Sequence, residues 1–272
     1  MLKQRVLTAI PLAALVIWGI LSQPETIIFN ALLVVVAISA WEWTKLSGVK
    51  NALLRTAYAV SLTVVTYFSQ QILLDNQQWV NSFFLIIVLA WLVVIYQMFA
   101  KGPQPVNQNV SIVKLCIGIV VLISPILALM LIHSESAEWL FYCLSLVWVA
   151  DIGAYFSGKR FGKNKLAPSL SPGKTKEGMY GAVFATAIYS LIAGVFFELQ
   201  LIEMFLLLII TALATFISVA GDLFISLLKR EKDLKDTGNI LPGHGGILDR
   251  IDSVLTSAPL LALLLNLVIF DA

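Results

Sequence analysis

The sequence predicts an all-α, polytopic integral membrane protein with about nine transmembrane helices and a cytoplasmic N-terminus. Three observations predict it. The 272 residues are 59% hydrophobic and only 12% charged, about half the charged share of a soluble domain. Mean hydropathy is +0.91, and apolar runs near the ~20 residues that cross a hydrocarbon core recur along the chain. The 18 Lys and Arg, finally, fall only in alternate breaks between those runs. The net charge of +2 suggests neither bulk nucleic-acid binding nor an acidic tail.

The predicted spans are 6–22, 26–46, 53–70, 80–100, 110–132, 138–157, 178–197, 203–228 and 251–270. Lys3 and Arg5 before the first run resemble the start of a signal peptide. That run is long, and Ser22-Gln23-Pro24-Glu25 offers no small-residue cleavage pattern, so it is expected to stay as a first helix. Lys45, Lys50 and Arg55 follow the second span, and Lys101 and Lys114 flank the break after the fourth. Lys159, Arg160, Lys163, Lys165, Lys174 and Lys176 follow the sixth, and Lys229, Arg230, Lys232, Lys235 and Arg250 follow the eighth. The other breaks carry Glu25, Asp75, Glu135, Glu138, Glu198 and Glu203. Positive charge stays on the cytoplasmic side. Nine spans then put every basic loop in the cytoplasm and Ala272 outside, as expected for a multi-pass protein of a bacterial-type inner membrane. One membrane domain, 1–272, is expected, with 1–135 mainly scaffold and 136–272 holding the catalytic helices and two cytoplasmic loops, 157–178 and 229–252. Cys116 and Cys143 lie inside apolar runs and read as small buried hydrophobes. His133, beside Ser134-Glu135, reads as a solvated loop residue.

Charges at membrane depth are costly, so they mark candidate sites. Asp151 ends the sixth span and Asp222 lies within the eighth; the plain alternative for each is a helix-to-helix hydrogen bond. Asp222, Ser226, Lys229 and Arg230 fall at i, i+4, i+7 and i+8, one helical face. In the loop that follows, Gly238, Gly243, Gly245 and Gly246 free the backbone to approach a ligand and aim N–H groups at phosphate oxygens. Asp249 and Asp252 come next at i, i+3; carboxylates with phosphate oxygens suit Mg2+, a hard cation. His244 has no partner at zinc spacing. In the earlier loop, Gly173-Lys174-Thr175 lacks the upstream glycine of a Walker A motif, since position 168 is Pro. Its residue types still suit phosphate.

Ser226-x-x-Lys229-Arg230, Lys235-Asp236-x-Gly238 and Pro242-Gly243-His244-Gly245-Gly246-x-x-Asp249-Arg250-x-Asp252 together resemble the signature of the phosphatidate cytidylyltransferases. Asp151-Ile-Gly-Ala-Tyr155 and Ser171-Pro-x-Lys174-Thr175-x-Glu177-Gly178 are similar to that family's upstream motifs. The resemblance implies that CTP and phosphatidic acid yield CDP-diacylglycerol and pyrophosphate with Mg2+. It implies Asp222 and Asp249 as metal-binding carboxylates, with room for a second, monovalent cation such as K+. Asp252 would support the metal or Arg250. Lys229, Arg230 and Lys174 would neutralise phosphates, and Ser171, Ser226 and the 243–246 backbone, His244 included, would orient them. Asp151, Thr175, Glu177, Lys235 and Asp236 belong to the same matched motifs and are expected at the substrate. The family also implies a homodimer, though no patterned interface is readable. Two alternatives remain open at this point: a CTP-dependent lipid or polyprenol kinase, which would need a general base for its hydroxyl acceptor, and a cation-coupled transporter using Asp151 and Asp222.

Overall fold

The computed structural model describes residues 2–102, 104–240 and 245–270, and a helix stands at each of the nine predicted spans. They are α1 (Leu2–Ser22), α2 (Glu25–Leu46), α3 (Ala52–Asp75), α4 (Val80–Lys101), α5 (Ile112–Glu135), α6 (Ala137–Phe161), α7 (Lys176–Phe196) and α8 (Leu201–Arg230). The last is split into a four-residue α9 (Leu248–Ile251) and α10 (Val254–Leu265), which runs on as a π-helical turn. Among the described residues six helices are long and apolar enough to cross a bilayer: α2, α4 with the turn before it, α5, α6, α7 and α8. The chain is an all-α polytopic membrane protein. Polar residues such as Ser61, Thr63, Thr66 and Gln70 lower the hydropathy of α3, and the break at Asp252-Ser253 shortens the last helix.

The helix starts follow from local chemistry. Asn51, Ser111, Ser136 and Thr175 each turn a side-chain oxygen onto free N–H groups of the first turn, and Gln200 with Glu203 forms a reciprocal cap on α8. α5 and α10 form the centre; nearly every residue from Leu255 to Leu263 is buried. A helix apolar all round needs such a place. Outward faces of the surrounding helices carry large exposed apolar side chains, including Trp18, Phe68, Ile86, Phe184 and Leu201, as lipid-facing surface requires.

Buried polar groups tie helix to helix. Tyr142 and Thr211 hydroxyls meet at 2.5 Å, and Thr256 donates to the Ile217 carbonyl at 2.8 Å. Small residues let α6 and α7 approach closely: a Cβ on Gly153 would lie 2.7 Å from that of Ala185, and one on Gly181 would overlap Ser157. The polar ends are fastened too. Arg55 donates to Thr44 Oγ1 and the Trp41 carbonyl, both at 3.0 Å, while stacking over the Trp41 ring. Lys232, only 4% exposed, donates its Nζ to the carbonyls of Asn107 and Asn109, and Lys114 pairs with Glu231 at 2.6 Å. Lys232 and Lys114, expected as plain topology charges, therefore also tie the 104–111 segment and the start of α5 to the end of α8.

Three expectations are corrected. The 157–178 segment is not an irregular loop: α6 runs on to Phe161, and Lys165–Ala167 (β1) pairs antiparallel with Ser171–Thr175 (β2) before α7 begins. His133 is not a solvated loop residue. It lies inside α5, with both ring nitrogens buried and without a hydrogen-bond partner among the described residues. Cys116 is exposed on α5, while Cys143 is buried as expected.

Candidate active site

The C-terminal halves of α6 and α8 and the segment after α8 converge on one polar cavity of about 220 Å3. Asp151, Asp222, Lys229, Asp236, Asp249, Arg250, Asp252 and Ser253 line it. Asp151 comes from α6, ten residues before its end, and Asp222 and Lys229 come from one face of α8, two turns apart. The β-hairpin adds a cation from the side. Lys174 on β2 forms an ion pair with Asp222, whose other oxygen accepts from Ser226 Oγ at 3.3 Å. The carboxyl groups of Asp222 and Asp252 are neighbours in the cavity, near enough to act on each other. Two carboxylates so placed need a shared proton or a cation between them.

Asp249 is tied on every side. Its Oδ1 accepts from Lys229 Nζ at 2.7 Å, and its Oδ2 accepts from the N–H groups of Thr237 (2.8 Å) and Gly246 (3.0 Å) and from Thr237 Oγ1 (3.0 Å). Burial works to raise its pKa; the Lys229 hydrogen bond and the two backbone donors outweigh burial and hold it below the ordinary carboxylate range. Asp249 is an anion at neutral pH.

The atoms in the cavity that could ligate a cation are all oxygen, and five carboxylates there outnumber Lys229 and Arg250 even with Lys174 counted. That excess of negative charge, with Asp222 and Asp252 side by side in it, fits a hard divalent cation. Among the described residues no three carboxylates already converge on one point.

Several residues named from the sequence do other work. Thr175 spends its hydroxyl on the Gly178 N–H at the start of α7. Glu177 accepts from the N–H groups of Lys163 and Asn164 and from Asn164 Nδ2 (2.7 Å), fixing the chain as it leaves α6 and enters the hairpin. Arg230 and Lys235 are exposed, and neither they nor half-buried Ser171 line the cavity. Gly243 and His244 lie outside the described residues. The glycines at 245 and 246 were expected to aim N–H groups at a ligand. The Gly246 N–H points instead at Asp249, and Gly245, at φ +83°, passes where a Cβ would stand 2.9 Å from Asp249 Oδ2.

The family model for the cytidylyltransferase family matches residues 3–268. The chain belongs to that family. It is 36% identical over 272 residues to a phosphatidate cytidylyltransferase of Pseudomonas aeruginosa, covering 97% of each chain. A Haemophilus influenzae protein of the same name is 35% identical over 95% of this chain and 96% of its own. One from Bacillus subtilis reaches 47% over about half of each, 47% and 48%. The family model and the first two relatives match across nearly the whole length, the first five helices included.

One residue of this site escaped the sequence reading. Glu42, on α2 and only 2% exposed, accepts from Thr237 Oγ1 (2.9 Å), the Ile247 N–H (3.1 Å) and the Leu248 N–H (2.9 Å). A signal was there to find it: Glu42 is the one carboxylate inside the first five predicted spans, which the rule that singled out Asp151 and Asp222 also covers.

Proposed function

We propose that this protein transfers the cytidylyl group of CTP to phosphatidic acid, releasing pyrophosphate and forming CDP-diacylglycerol, at the cavity around Asp222, Asp249 and Asp252. The observation that carries this reading is the gathering of Asp222, Asp249 and Asp252 with Lys174, Lys229 and Arg250 in one polar cavity at the basic ends of otherwise apolar helices. The names of the near-full-length relatives support it.

A phosphatidate oxygen attacks the α-phosphorus of CTP in line; the new P–O bond forms as the bond to the β-phosphate oxygen breaks, and pyrophosphate departs. The second pKa of a phosphomonoester is about 6, so the nucleophile is already an anion and no general base is needed. The difficulty is bringing two anions together. Lys229 and Lys174 stand ready for that, each held at the cavity by a carboxylate, and Arg250 lines the same wall. Incoming phosphates would take over these cations. Arg230 and Lys235, exposed near the end of α8, would draw anions toward the opening. Asp222, Asp252 and Asp249 would hold Mg2+, with K+ as a second cation; when bound, the metal supplies charge stabilisation to the phosphates and the leaving pyrophosphate. Ser226 holds the orientation of Asp222, and Thr237 and Gly246 that of Asp249. The same reading places nine spans in a bacterial inner membrane, the N-terminus and the cavity on the cytoplasmic side.

The test is pyrophosphate release by purified protein in detergent given CTP, phosphatidic acid and Mg2+, with the lipid product followed by thin-layer chromatography. Product dependent on all three supports the reading. Release of CDP instead of pyrophosphate, or no product from a folded protein, overturns it.

A further inference from the structure

Glu42 reaches the site from the opposite end of the chain, and the segment it holds is built around it. Gly238 and Gly246 both pass so close that any Cβ would collide with its carboxylate. The Thr237 hydroxyl lies 2.9 Å from Glu42 Oε2 and 3.0 Å from Asp249 Oδ2, so its single proton is shared between the two carboxylates and links them. A buried carboxylate is costly unless donors surround it. Here the donors are that hydroxyl and the N–H groups of Ile247 and Leu248, while the nearby ammonium of Lys229 goes to Asp249. Apolar packing would join α2 to this segment at lower cost. What a carboxylate adds is direction: its two oxygens fix the peptide planes that lead into Asp249.

We propose that Glu42 is a positioning residue for the cytidylyl transfer, setting through Thr237, Ile247 and Leu248 where the Asp249 carboxylate and its partner Lys229 stand in the cavity. The inference rests on the proposed function for its kinetic part and on the contacts alone for its structural part.

Glu42→Ala, Glu42→Gln and Thr237→Val in the purified full-length protein test it, read by kcat, KM for CTP, thermal midpoint and hydrogen exchange over 237–252. Loss of three acceptor contacts in Glu42→Ala is expected to lower kcat by about 30-fold or more. KM for CTP should move less than about threefold, the pattern of an interaction used in the transition state. Exchange should quicken in 237–252 and stay unchanged in α5 and α10. Glu42→Gln keeps one acceptor oxygen and should recover kcat part-way. On a Thr237→Val background, Glu42→Gln should cost less than it does alone, because the bridge is already cut. A kcat within threefold of wild type in both Glu42 variants overturns the proposal. So does exchange that rises through the whole bundle with activity falling only as folded protein is lost. Should Glu42→Ala fail to accumulate, Glu42→Gln and Thr237→Val carry the same comparison. If wild type itself performs no cytidylyl transfer, the proposed function fails; unchanged exchange over 237–252 in Glu42→Gln would then separately overturn the hold assigned to Glu42.

Discussion

Asp249→Asn separates two roles that Asp249 could play, because the structure sets different magnitudes for them. The amide keeps one oxygen for the Thr237 and Gly246 donors, and its NH2 group faces Lys229, so one charge-assisted hydrogen bond of 2.7 Å is lost. The Lys229 side chain is 14% exposed on an open cavity and stays hydrated in part, which keeps the loss near ~1.5–3 kcal/mol for a hydrogen bond to a charged group. At 1.36 kcal/mol per decade, that slows turnover roughly 10- to 150-fold if Asp249 only anchors Lys229. A carboxylate that also binds the metal costs more, on the order of a thousandfold or beyond, and raises the Mg2+ requirement. We expect the larger loss, with the protein still inserting and purifying normally. Turnover is read by pyrophosphate release across a Mg2+ titration. A loss inside the smaller range with an unchanged Mg2+ requirement refutes the metal assignment, and a change under threefold refutes both roles.

Mg2+ should raise the thermal midpoint of the wild type in detergent and leave Asp222→Asn nearly unmoved, since a cation there would relieve the repulsion between Asp222 and Asp252; equal shifts in both would remove Asp222 from the proposed metal site. Gly246→Ala forces a methyl against Glu42 and Thr237, and overpacking of this kind costs about 1–3 kcal/mol. Its thermal midpoint should fall by several degrees, and an unchanged midpoint would show that α2 yields freely. The folded pKa of Asp249 lies below its unfolded value. Its contribution to stability is therefore full above about pH 3.9 and is lost as pH falls through the lower, folded value. Acid melting curves should show that loss in the wild type, and Asp249→Asn should lack it.

The helices and most of the cavity were legible because each left a local mark. Apolar runs of span length gave the helix positions, and Asp222, Ser226 and Lys229 share a face simply by helical spacing. Hidden features depended on contacts between distant parts of the chain. The β1–β2 hairpin has no alternation to read: Leu166 and Ala167 face a polar strand, Ser171-Pro172-Gly173-Lys174-Thr175. Thr175 and Glu177 carry motif positions yet serve the fold, one capping α7 and the other holding Asn164. Glu42 sits four residues from the end of α2, where an acid passes for an ordinary interface residue until Thr237 and Leu248 are seen against it. His133 misled because a polar neighbourhood in sequence, Ser134-Glu135, still belongs to α5 in space.

The bonds from Glu42 to Thr237 and Leu248 join residues 195 and 206 positions apart, which imposes an order on biosynthesis. Ribosomes add about 5–20 residues per second, so α2 is made roughly 10–40 s before the segment that receives its carboxylate. A nascent chain arrested after α8 holds five-sixths of the protein and none of the partners of Glu42. Membrane quality control that senses an unpaired acid would find its signal there, and the signal disappears only when the last polar segment leaves the ribosome.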